Sequence, residues 1–132
     1  MGRFSPLTAH LSAMHPPAGE WIADTRHDGS PESPIQLPWV KYRAEIARFM
    51  DDVNQFAIST PELGLRSYGG ILERAGVKSP YDADVSSLDA LTVCAVIVAA
   101  VRSERFCEGA VYSFVECGQA RRCLERLAEL DG

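Results

Sequence analysis

The residues best suited to chemistry crowd into one short segment. Arg102, Glu104, Arg105, Cys107 and Glu108 stand within Val101-Arg-Ser-Glu-Arg-Phe-Cys-Glu-Gly109. A thiol next to a guanidinium is a candidate for a stabilised thiolate, and two arginines can hold a ligand anion. The same residues also suit a simpler purpose. Arg102, Arg105 and Glu108 can form an ion-pair knot that pins a helix junction, with Phe106 plugged into the core. Asp89 is the other polar candidate nearby, but it lies about 20 Å from Arg102 if one helix joins them. It therefore belongs to the helix start and not to the same site.

Little else in the chain has a catalytic pattern. There is no G-x-G-x-x-G, P-loop, H-E-x-x-H or G-x-S-x-G sequence. Ser103 adjoins Glu104, but no histidine is near in sequence to complete a triad. The four cysteines, Cys94, Cys107, Cys117 and Cys123, form no C-x-x-C pair, and His10, His15 and His27 lie far upstream. No zinc site is expected. The thiols are expected to be reduced and mostly buried. No metal and no cofactor is expected, no catalytic residue is assigned, and the missing signatures weigh against an enzyme.

Charge narrows the partner classes. The 132 residues carry 18 acidic and 13 basic groups, a net charge of −5. Both halves share the imbalance and no basic stripe exists, which argues against direct nucleic-acid binding. A mild acidic excess favours basic partners. The acidic residues placed to meet one are Asp24, Asp28 and Glu32, in a polar loop, and Asp51 and Asp52, on a helix face. Asp51 and Asp52 are adjacent and diverge by about 100° around a helix, so they do not form a carboxylate pair. A solvated face is the simpler role for them.

The elements that position these residues follow from apolar spacing. Ser5-Pro6 opens a short helix carrying Leu7, Leu11 and Met14, which His15-Pro16-Pro17 ends. Glu20 to Ala23 and Ile35 to Leu37 read as the strands of a small hairpin. The segment from Asp24 to Pro34, rich in Asp, Gly, Ser and Pro, reads as an exposed loop between them. An amphipathic helix is predicted from Pro38 or Trp39 to Ala57, with Tyr42, Ile46, Phe49, Met50, Val53 and Phe56 on one face. A shorter helix around Leu65 to Leu72 stops at Gly76. Ser86-x-x-Asp89 resembles a capping box in front of a long helix buried nearly all round. Its eleven-residue apolar run, Leu91 to Val101, is too short to cross a bilayer. Ala110 to Cys117 forms a further helix closed by Gly118. In the last helix, Gln119 to Leu130, Arg121, Arg122, Glu125, Arg126 and Glu129 offer Arg–Glu pairs on a solvated face.

The fold expected is mainly α, one domain of five or six helices with a small N-terminal β-hairpin. Residues 1–18 are expected to be peripheral. The N-terminus has no basic end, apolar core and cleavage site of a signal peptide, so a cytoplasmic location is expected, without membrane attachment.

Several residues together carry a resemblance. They are Leu88-Asp89-Ala90, Val-Arg-x-Glu-Arg-Phe-Cys-Glu-Gly at 101–109, a later aromatic and glycine, and a closing Leu-x-x-Leu helix. Upstream, Pro38, Tyr42, Phe49 and Tyr68 fit as well. The pattern resembles an uncharacterised bacterial domain-of-unknown-function family with an E-R-F-C-[DE]-G core, over about Glu20 to Leu130. The resemblance implies a helical domain from a bacterium or mobile element. It implies no activity and no catalytic residues.

Two functional expectations follow. The first is a non-enzymatic protein-binding module, a regulator or inhibitor of phage or mobile-element origin such as a CRISPR–Cas inhibitor, meeting a basic surface through Asp24, Asp28, Glu32, Asp51 and Asp52. The alternative is a small enzyme or ligand-binding protein using the Arg102, Glu104, Arg105, Cys107 and Glu108 cluster. The partner would be a protein. The chain itself would be a monomer, or a homodimer through an exposed Trp21 or Trp39.

Overall fold

The computed structural model describes residues 3–22 and 39–131. In chain order the elements are α1 (Ser5–Thr8), β1 (Gly19–Ile22), β2 (Trp39–Tyr42), α2 (Ala44–Ser59), α3 (Tyr68–Ala75), α4 (Ala90–Ser103), α5 (Ala110–Glu116) and α6 (Gln119–Asp131), with single 3₁₀ turns between some of them. The fold is mainly α, as its apolar spacing predicts, with six α-helices and a two-stranded antiparallel hairpin among the described residues.

α4 is the centre. Every residue from Thr92 to Val101 is buried, and α4 packs against α2, α3, α5 and α6. A helix apolar on all sides has to sit inside others. Each fully buried Val, Ile or Leu contributes roughly 1.5–3 kcal/mol of transfer free energy. The helix is shorter than its Gly- and Pro-free run. It starts where the Asp89 carboxylate accepts from the Thr92 N–H at 2.9 Å. The cap is therefore Asp89 itself. Ser86 belongs to a separate 3₁₀ turn, Val85–Ser87, capped by Asp84.

The second strand differs from its sequence expectation. Trp39–Tyr42 is β2 and not the start of a helix, and α2 begins only at Ala44. Arg43 breaks the helix with extended ψ 151°, and its guanidinium explains why. It donates to Pro17 O, to Ala13 O at 3.0 Å and to His15 O at 2.9 Å. These bonds hold the chain that leads into β1 beside the chain that leaves β2. The strand predicted at Ile35–Leu37 and the loop from Asp24 to Pro34 lie outside the described residues.

Residues ahead of β1 join the core, since Leu7, Met14 and Ala18 are fully buried. The two chain ends also meet, because the Asp131 carboxylate accepts from the N–H groups of Arg3 and Phe4 at 2.9 and 3.1 Å. Glycine closes two helices as expected. Gly76 after α3 and Gly118 after α5 adopt φ +75° and +83°, conformations that L side chains resist.

Candidate functional site

The turn between α4 and α5 holds the cluster singled out in the sequence. Glu104 ends α4 and folds back over the start of α5. Its carboxylate accepts from the N–H of Gly109 at 3.0 Å, the N–H of Val111 at 2.9 Å and the hydroxyl of Tyr42 at 2.6 Å. The Tyr42 oxygen in turn accepts from the Tyr112 N–H at 3.0 Å. Burial, and then the hydrogen bond to Glu104, push the Tyr42 hydroxyl well above the usual phenol range. Tyr42 is therefore a protonated donor at neutral pH.

The neighbouring carboxylates act in a related way. Glu108 accepts from the Val40 N–H at 2.7 Å, and Glu116 from the Ala18 N–H at 3.2 Å. Three glutamates of the α4–α5 unit thus hold the hairpin and its lead-in by two backbone amides and one hydroxyl. Hydrogen bonds to charged groups are worth roughly 1.5–3 kcal/mol each. Trp21 completes the join. It shares a hairpin face with its cross-strand partner Val40, lies over Gly109 and meets Tyr112 edge-on at 5.9 Å. Gly109 has φ +88° and no room for a Cβ beneath the indole.

The E-R-F-C-E-G turn is therefore a structural node, but not in the form expected. Among the described residues Arg102, Arg105 and Glu108 make no salt bridge with one another. The Arg102 Nε is buried without a partner there, and Arg105 and Cys107 are exposed. Phe106 is not plugged into the core. It is 89% exposed, because the Phe106 and Cys107 amides both turn back to Ser103 O and the inward position is taken by the Glu104 carboxylate.

A family model, DUF6508, a family of unknown function, matches residues 3–131. The chain belongs to that family. No curated protein and no solved structure matches it. DUF6508 membership agrees with the resemblance drawn from the turn and its flanking residues, and it brings no activity with it.

The other sequence-selected residues of this DUF6508 member are dispersed. Asp51 is exposed on α2, while the Asp52 carboxylate is hydrogen-bonded to His10 Nε2 at 2.7 Å. Asp24, Asp28 and Glu32 lie outside the described residues. The thiols divide evenly: Cys94 and Cys123 are buried, whereas Cys107 and Cys117 are exposed, so the expectation of mostly buried thiols fails for two of the four. Burial pushes Cys94 and Cys123 up to about 12. Among the described residues no three His, Cys, Asp or Glu side chains gather to hold a metal ion, and no helix is long and apolar enough to cross a membrane.

Sequence reasoning misses two features. Tyr42 reads as part of the α2 core stripe, and its hydroxyl gives no sequence signal of its bond to Glu104. Gln119 is fully buried. A glutamine on the inner face shared by Cys123 and Leu127 is a visible irregularity, and it marks a groove beside α6 that the charge pattern alone reads as solvated surface.

Proposed function

We propose that this protein is a non-enzymatic protein-binding module that engages a basic partner surface. The observation that supports this reading is Phe106. A large aromatic side chain, 89% exposed, stands on a turn whose two ends are fixed by Glu104 and Glu108. Exposed aromatics on a rigid frame serve as binding anchors, because little side-chain and loop entropy is lost on association. Glu104 uses both carboxylate oxygens on Tyr42, Gly109 and Val111, and Glu108 uses one on the Val40 N–H, so both support the frame. The net charge of −5 and the exposed Asp51 agree with a basic partner. Regulators and inhibitors of mobile-element origin, CRISPR–Cas inhibitors included, are one class of protein that works in this way.

The test is quantitative affinity capture from the native host by wild type, Phe106→Ala and Asp51→Lys. One partner retained by wild type and depleted by both variants supports the proposal. Equal retention by all three contradicts it.

A further inference from the structure

A second surface lies away from the Phe106 turn. The segment from Asp82 to Leu88 runs beside α6 and is strapped to it twice. Gln119 Nε2 donates to Ala83 O at 2.8 Å, and Arg126 Nε donates to Leu88 O at 3.1 Å. Between segment and helix opens a groove of about 420 Å³, within the size range of small-ligand sites. Val85 and the fully buried Gln119 contribute its apolar and polar floor.

Arg122 and Arg126 stand one helical turn apart on the α6 wall. Each is held through Nε, Arg122 by donating to Gln119 Oε1 at 2.8 Å and Arg126 by its strap to Leu88. Their terminal nitrogens make only long contacts, to Cys117 O and Glu129, both at 3.4 Å. Arg122 Nη1 and Arg126 Nη2 have no hydrogen-bond acceptor among the described residues. Guanidiniums fixed in this way present ready donors to a carboxylate.

The other wall carries the opposite sign. Asp82 and Asp84 line it. The hydroxyl and N–H of Ser86 bond the Asp84 carboxylate at 2.5 and 3.1 Å and hold it below the usual carboxylate range. Glu125 and Glu129 also border the groove, paired with Arg121 and Arg126. A simple anion would meet four carboxylates and a simple cation two guanidiniums. A molecule with both charges satisfies both walls.

We propose that this groove binds a dipolar small molecule of the free amino acid class. Its carboxylate rests on the Nη groups of Arg122 and Arg126, and its ammonium faces Asp82 and Asp84. The proposal does not depend on the protein-binding reading. Exposed ion pairs are individually weak, so binding in the millimolar range is expected.

The experiment is ¹H–¹⁵N NMR titration of the full chain with each of the twenty proteinogenic amino acids, and with acetate and ethylamine as single-charge controls. The proposal requires at least one amino acid to shift the Arg122 and Arg126 Nε–H signals and the Asp82–Ser86 amides saturably, more tightly than either control. It also requires Arg122→Gln to weaken that binding about tenfold or more. Asp82 makes no hydrogen bond to another described residue, so Asp82→Asn tests the second wall without touching the fold and should weaken binding severalfold. No saturable shift with any amino acid overturns the proposal. So does acetate binding as tightly as the amino acid, or affinity unchanged in Asp82→Asn.

Discussion

The Tyr42 hydroxyl and the Glu104 carboxylate meet at 2.6 Å, joining the end of β2 to the end of α4 across 62 positions of sequence. Because Glu104 also accepts from the first amides of α5, one side chain sets the angle between two helices and the position of the hairpin. The exposed Phe106 stands two residues further on.

Replacing Glu104 therefore tests the frame. Glu104→Gln keeps the shape but places an amide N–H₂ against donors, leaving at least one of three hydrogen bonds unmade. A loss of about 2–3 kcal/mol is expected, in line with removing a charged partner from a partly buried group. Urea unfolding measures it through a lower midpoint at unchanged slope.

Gly109 and Gly64 form an internal comparison. Both have positive φ, +88° and +67°, but a Cβ at Gly64 meets open space while one at Gly109 meets the Trp21 ring. Gly64→Ala should cost about 1–2 kcal/mol, the backbone penalty alone. Gly109→Ala should cost more and displace the indole. Thermal unfolding and tryptophan emission separate the two, and only Gly109→Ala should alter the emission of the folded protein.

Much of this architecture is legible in the sequence, and the failures have physical causes. α4 and α6 are readable because their apolar spacing is clean and Asp89 and Gly118 mark their starts. β2 is hidden because Tyr42 lies in phase with Ile46, Phe49 and Val53, so the helical period runs back through the strand. The backbone carbonyls of Ala13, His15 and Pro17, far off in sequence, hold the Arg43 side chain where the strand ends. Phe106 reads as core because it is apolar in a charged turn. What displaces it is a glutamate satisfied by three donors, a polar interior that no hydropathy pattern reveals. The E-R-F-C-E-G segment is readable as a junction, whereas its bonds to the hairpin are not, since they run to a backbone amide at Val40 and to a Tyr42 hydroxyl hidden in an apolar stripe.

The cysteines make a chemical prediction. Folded protein should expose two fast-reacting thiols to a disulfide reagent at pH 8, Cys107 and Cys117, with Cys94 and Cys123 reacting only after unfolding. Four fast thiols would contradict the buried positions of Cys94 and Cys123.

Those buried thiols also set an alkaline limit. Their folded pKa values of about 12 stand above the ordinary thiol value of 9.0, and Tyr42 is raised too. The unfolded chain thus loses protons first as pH rises. The contribution of these groups should be flat below about pH 8 and fall as pH passes from 9 towards 12. The double variant Cys94→Ala, Cys123→Ala should flatten part of that fall, whatever its stability at pH 7.

Asp89 predicts an acid counterpart. Its hydrogen bonds to Thr92 hold the carboxylate below the ordinary aspartate value of 3.8, so this contribution is present above that pH and lost as pH falls below it. Asp89→Ala should cost about 1 kcal/mol at pH 7 and shrink in effect at pH 2, as read by urea midpoints at the two pH values.

The most direct test of the binding account is the affinity of the captured partner for wild type and for Phe106→Ala, with thermal unfolding measured on the same samples. The account predicts unchanged stability, because Phe106 is 89% exposed, together with a Kd raised about thirtyfold or more, as for removal of an aromatic anchor. An unchanged Kd in a normally folded Phe106→Ala protein would contradict it.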